Sequence, residues 1–141
     1  MKRSSYLRAL TALAFVIGLP AVAFAAAEDA IGTWKDTETA AITQIYDCGG
    51  GICIKVITPS KEHATDSYNP DPALKGRSMA GVVIMTGAKK DGADRWKGHL
   101  YNSEDGKTYS GWVIVKSKNE VQLEGCVLGL FCKSRVWQRA Q

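Results

Sequence analysis

The chain has 141 residues, a formal net charge of +4 and four cysteines, room for a short leader and one domain. Three of the basic residues, Lys2, Arg3 and Arg8, sit at the very start, so the remainder carries about +1. That near-neutral remainder lacks the electrostatic footprint of a nucleic-acid binder and offers no polybasic patch to a membrane surface. Lys89-Lys90, beside Asp91 and Asp94, reads as a solvated turn.

Residues 1–25 read as a secretory signal peptide. The basic start is followed by an apolar run from Ala9 to Leu19, a break at Pro20, and the small-x-small pattern Ala23-Phe24-Ala25. The run is too short for a convincing membrane span. Cleavage is expected after Ala25, with Ala27 the next candidate. No cysteine stands at the cut, so a lipid anchor is not expected. The expectation is a domain over 26–141, periplasmic or secreted, with no transmembrane span after cleavage.

The first strand is expected from Ala30 to Lys35, the second from Ala40 to Asp47 and the third from Ile52 to Thr58, where Pro59 ends it. Ser60 to Arg77 differs in kind. Pro70 and Pro72, with Asn69 and Asp71, exclude a continuous strand, and a single helical turn over Pro72 to Lys75 is expected, capped by Asp71 and stopped by Gly76. A loop of this length in a small domain is usually functional or disordered. Met79 to Thr86 is a nearly continuous apolar run, read as a fourth strand that is buried on both sides or partly covered, with a polar turn from Gly87 to Asp94.

Trp96 to Val115 is the strongest hairpin, two β-prone runs around Asp105-Gly106. In its first run Trp96, Gly98 and Leu100 share one face, and Lys97, His99 and Tyr101 the other. Glu120 to Val127 and Cys132 to Arg139 complete about eight short strands joined mostly by tight turns. The fold expected is all-β, an antiparallel up-and-down eight-stranded barrel, because closure removes exposed edges. An open sandwich is the alternative.

An even cysteine count in a small exported domain argues for disulfides. Cys48 and Cys53 bracket one short turn, and Cys126 and Cys132 bracket another. Each local staple would contribute about 2 kcal/mol on the chain-entropy argument. A four-thiolate zinc site is the alternative, although the gaps are wider than usual for one.

Gly32-Thr33-Trp34 opens the first strand and Trp137-Gln138-Arg139 closes the last. A closed barrel pairs these strands, so Trp34 can plug one end with a guanidinium, from Arg139 or Arg135, on its π face. This resembles the calycin group, the lipocalins and their relatives. More specifically, the chain resembles the bacterial family catalogued as domain of unknown function 2147 (DUF2147). That resemblance rests on Gly32-Thr33-Trp34, Cys48-Gly49 with Cys53, and the segment from Asn69 to Arg77. It continues in Tyr101-Asn102, Glu104 to Tyr109, Gly125 and Trp137-x-Arg139. It implies a lipocalin-like barrel in the cell envelope, in a family whose activity is unsettled. Ile54 departs from it, standing where a second glycine is expected.

A barrel of eight strands is either filled by side chains or holds one small ligand. Trp96, Leu100, Val121, Leu123, Ile52 and Ile54 are expected to point inward, with Trp112 as an addition. A ligand would be small and largely apolar, gripped by polar groups at the mouth. The candidates there are Tyr101, Asn102, Asp105, Lys107 and Tyr109, with Asn69, Asp71 and Arg77 from the long loop; Trp96 and Trp112 are candidate wall residues. The competing reading is that these residues only make turns and that Arg77 pairs with Asp71.

His63 and His99 lie apart in sequence, the serines form no nucleophile elbow, and Glu104-Asp105 are adjacent on a turn. No enzyme signature, cofactor motif or metal ligand set emerges. Leu128, Leu130 and Phe131, held between the second pair of cysteines, form an apolar loop. It would cap the barrel or present a patch to an envelope protein partner. The functions expected are thus a ligand-binding barrel or, alternatively, a filled barrel acting as an interaction module. An envelope hydrolase comes third.

Overall fold

The computed structural model describes residues 25–140, and the leader expected over 1–25 lies outside them except for Ala25. A 3-10 turn, Ala27–Ala30, leads into eight strands. They are β1 (Gly32–Asp36), β2 (Ile42–Asp47), β3 (Ile52–Thr58), β4 (Val83–Lys90), β5 (Arg95–Asn102), β6 (Lys107–Ser117), β7 (Glu120–Val127) and β8 (Phe131–Arg139). Each pairs antiparallel with the next, and β8 returns to β1 through Trp34 opposite Arg139 and Asp36 opposite Trp137. The result is a closed up-and-down barrel.

Two expected boundaries move. The fourth strand begins at Val83 and runs through Lys90, where a turn had been expected from Gly87. Met79 instead joins the long loop, its amide donating to the Ala64 carbonyl, while the Val82 amide donates to the Met79 carbonyl and turns the chain. Gly87, with φ at +63°, accompanies a register shift within the β4–β5 ladder rather than ending the strand. An apolar run without alternation carries no phase information, so its limits depend on what it pairs with. The loop's expected helical turn is a hydrogen-bonded turn: Asp71 accepts the Leu74 and Lys75 amides at its carbonyl and the Ala73 amide at Oδ1.

Inward residues fill one end. Trp34, Ile45, Ile54, Met85, Val113 and Val121 form a buried cluster there. Trp34 donates its indole N–H to the Ala30 carbonyl, and the Arg139 guanidinium carbon lies 4.2 Å from its ring centroid. Arg139 also donates to the carbonyls of Asp29, Ile31 and Lys118. Arg135, the other candidate for that stacking, lies elsewhere.

Three glycines shape the interior, two of them by close packing. Gly98, Gly111 and Gly125 sit in direct register across β5, β6 and β7. A Cβ on Gly98 would lie 2.9 Å from Ala88 Cβ, and one on Gly111 2.8 Å from Leu100 Cβ. Ile54 is fully buried in the barrel, and the close backbone approach beside it falls at Gly51, where a Cβ would stand 2.6 Å from the Ala88 carbonyl oxygen.

Both cysteine pairs are disulfides, Cys48–Cys53 and Cys126–Cys132. This overturns the zinc alternative: the two pairs sit on turns at opposite ends of the barrel, and the sulfurs are consumed in bonds. Substituting Gly111 by Ala is expected to destabilise the barrel by about 1–3 kcal/mol, because the added methyl overpacks against Leu100 and Met85. Urea unfolding followed by tryptophan fluorescence measures it, and an unchanged midpoint would refute the close-packing account.

Candidate functional site

Up-and-down connectivity sends alternate connections to opposite ends. Short turns after β2, β4 and β6 join the plugged end. The connections after β1, β3, β5 and β7, including the long loop 59–82, ring the other end. That end is open and contains a cavity of about 640 Å³. Its apolar wall is made by Val56, Met79, Ile84, Leu100, Leu123 and Trp137. The barrel is therefore filled at one end and hollow at the other. The glycine row contributes directly: Gly125 lines the cavity, and a Cβ there would come only into ordinary contact, with Leu100 Cδ2 at 3.7 Å and Tyr109 Cβ at 3.9 Å.

Polar groups line the same cavity. Asp36 follows Trp34 by two residues and so shares its inward face. It is buried, with Oδ1 accepting the Glu38 and Thr39 amides at 2.7 and 2.9 Å and Oδ2 accepting the Trp137 indole N–H at 3.1 Å. Arg135, on β8, spans the mouth. It donates to Glu38 Oε2 at 3.1 Å and Glu104 Oε1 at 2.7 Å, tying the β1–β2 turn to the β5–β6 turn. His63 Nε2 lies 4.0 Å from the same Glu104 oxygen.

Of the residues expected at the mouth, Tyr101, Asn102, Asp105 and Tyr109 line the cavity. Asn102 and Asp105 also shape the hairpin turn, accepting the Glu104 and Lys107 amides. The Tyr109 hydroxyl donates to the Asp105 carboxylate, and that bond raises the phenol above its ordinary pKa. Lys107 is exposed at the tip and does not line the cavity.

Asn69, Asp71 and Arg77 belong to the loop's own framework, organised on a residue that sequence reading missed. Asp66 is 0% exposed. It accepts hydrogen bonds from Asn69 Nδ2 at 2.8 Å, Arg77 Nε at 3.1 Å and the Tyr101 hydroxyl. Arg77 thus pairs with Asp66, not with Asp71. Burial alone would raise the Asp66 carboxyl, but the donors from Tyr101, Asn69 and Arg77 outweigh it and hold the group below its ordinary value. The Tyr101 hydroxyl is pushed up to about 12 by burial and by the Asp66 carboxylate. The loop also rests on the hairpin tip: a Cβ on Gly106 would fall 1.9 Å from the Tyr68 carbonyl oxygen, so only glycine fits there.

The two tryptophans expected along the ligand wall lie at the plugged end. Trp96 is partly buried against the core and donates its indole N–H to the Ala27 carbonyl at 2.7 Å. Trp112 does not point inward. Its neighbours Gly111 and Val113 take the inward face, so alternation turns Trp112 out, where it donates to Asp91 Oδ2 and lies under Lys97 Nζ. No local sign marks Asp66, a single carboxylate in a polar loop. Asp36 and Thr43, by contrast, follow from strand parity once Trp34 and Ile45 are placed inward.

The closed eight-stranded antiparallel barrel, plugged by a tryptophan under an arginine and hollow at the other end, is of the lipocalin-like class. The chain belongs to the family described as "Uncharacterized protein conserved in bacteria (DUF2147)", whose model matches residues 32–139. Among solved structures it is similar to protein HP1028 from the human pathogen Helicobacter pylori, described as belonging to the lipocalin family. The two are 25% identical with a TM-score of 0.69, over 79% of this chain and 83% of that one. No curated protein matches the chain.

Because the folded Asp66 carboxyl titrates below its unfolded value, it stabilises the loop fully above about pH 4 and loses that contribution as pH falls through the folded value. The Gly76 amide, which donates to the Asp66 carbonyl, is expected to keep its NMR position from neutrality to about pH 5 and to shift on further acidification. Asp66→Asn should abolish that titration and lower the Tyr101 pKa from about 12. A pH-invariant Gly76 resonance in the parent protein would contradict the loop-latch account.

Proposed function

We propose that the protein is an exported binding barrel that takes one small, largely apolar molecule into the cavity at its open end. The observation that carries this reading is the cavity itself. Its volume of about 640 Å³ falls within the range that holds a drug-sized ligand. Its deeper wall is mostly apolar, with Asp36 and Thr43 as buried polar residues, while the Arg135 bridge, Tyr101, Asn102 and Asp105 supply polar groups at the rim. On this reading the protein is a carrier rather than a catalyst.

Export to the periplasm or beyond fits the leader-like residues 1–25 and the two disulfides, which persist in oxidising compartments. A cut after Ala25 keeps Ala27 on the mature chain. That residue belongs to the fold: it is buried, its amide donates to the Ala93 carbonyl, and its carbonyl accepts the Trp96 indole.

A second reading, docking onto an envelope protein, is favoured by one feature. Leu128, Leu130 and Phe131 are 87%, 79% and 73% exposed on the stapled β7–β8 turn beside the mouth. The two readings separate by native mass spectrometry of the exported protein: a co-purified small molecule supports the first, and a ligand-free barrel holding a protein supports the second.

An apolar fluorophore such as N-phenyl-1-naphthylamine is expected to brighten on adding the mature protein. Gly125→Leu should abolish that signal, since its side chain would project into the cavity that Gly125 lines. The Gly125→Leu protein is expected to unfold in urea close to the parent midpoint. Equal brightening by the parent and a folded Gly125→Leu protein would place the probe elsewhere and sink this reading.

A further inference from the structure

The cavity has a polar feature that the closed barrel leaves unused. Thr43 lies on the inward face of β2, opposite Trp34 on one side and Val56 on the other. It lines the cavity and is only 4% exposed, yet its Oγ1 has no hydrogen-bond partner among the described residues. Buried hydroxyls are almost always paired, because desolvating one without a partner is costly. A valine would fill the same strand position without that cost. The hydroxyl therefore points to a partner that arrives with a ligand.

The surroundings narrow the chemistry of that partner. Asp36 is a diagonal neighbour of Thr43 on the same inward face, and three donors occupy its oxygens: two backbone amides and the Trp137 indole. A carboxylate offers about four lone-pair sites, so one acceptor position remains. A ligand carboxylate here would face like charge. A ligand hydroxyl would instead pair with the Thr43 hydroxyl by donating to its oxygen, a bond that an ether cannot make. Across the cavity Leu100 and Leu123 supply an apolar wall without hydrogen-bonding groups. Resting on the binding-barrel reading above, we infer that the ligand is a neutral alcohol with an apolar body, bound with its hydroxyl inward at Thr43 and its body along Leu100 and Leu123.

Matched probes test this by displacement of N-phenyl-1-naphthylamine from the mature protein. The probes are 1-decanol against decyl methyl ether, 2-naphthol against 2-methoxynaphthalene, and decanoate. In the parent protein each alcohol is expected to bind about two- to tenfold more tightly than its ether, the worth of one hydrogen bond. Thr43→Val should erase that preference while leaving ether binding in place, and Thr43→Ser should keep it. An alcohol preference that survives Thr43→Val, or no preference in the parent, overturns the inference while leaving the binding barrel intact. So does decanoate binding tighter than decanol and indifferent to Thr43→Val, which would place the head group at Arg135 on the rim. If neither the fluorophore nor any probe binds, the binding-barrel reading fails, and this inference fails with it.

Discussion

The structure depends on one closure: β1 must hydrogen-bond β8, and the end where they meet must be sealed. A curved sheet left open would present two rows of unpaired backbone groups. The ladder through Trp34 opposite Arg139 removes both rows, and the same two residues seal the end. Arg139 does this with both properties of its side chain. Its flat face lies on the indole, and its N–H groups reach carbonyls at Asp29, Ile31 and Lys118. These come from the chain entering β1 and from the β6–β7 turn, so one guanidinium ties together segments distant in sequence. A lysine could not do both, since an ammonium offers no planar face and no fork of donors.

With one end sealed and packed, the space inside is decided by side-chain size along a few inward positions. Trp34, Ile45, Ile54 and Met85 occupy the plugged half. The paired glycines at 98, 111 and 125 step across three neighbouring strands. At Gly98 and Gly111 the missing side chain lets Ala88, Met85 and Leu100 close in; at Gly125 a Cβ would meet only ordinary contacts beside the cavity. One residue type thus produces tight packing at two positions and a piece of cavity wall at the third, according to what stands opposite. The open end then acquires order from outside: the Asp66 cluster holds the long loop, Gly106 lets that loop lie on the hairpin tip, and Arg135 ties two turns across the mouth.

Much of this site was legible, but unevenly. The central hairpin, its turn at Asp105-Gly106 and the inward face of Trp96, Gly98 and Leu100 are local consequences of alternation and turn chemistry, which a sequence displays directly. Tyr101, Asn102, Asp105 and Tyr109 line the cavity because a hairpin tip at a barrel end must border the opening. Trp112 was misplaced because aromatic bulk suggested burial, whereas the parity of Gly111 and Val113 sends it outward. Asp66 escaped notice because its importance comes from Tyr101, which is 35 residues away in sequence. The segment from Asn69 to Arg77 was recognisable as a motif, yet its hydrogen bonds serve the loop rather than the cavity wall.

By itself the sequence determined the all-β class and the approximate strand count, and it favoured barrel closure and two local disulfides. Each follows from interactions between residues close in the chain, or from the need to pair two ends. The tertiary structure alone decided that the barrel is half filled, which arginine covers Trp34, where β4 begins, and that Asp36 and Thr43 line a cavity. Those outcomes turn on register and on what stands across the barrel, because a strand's own pattern says which side chains share a face but not what they meet.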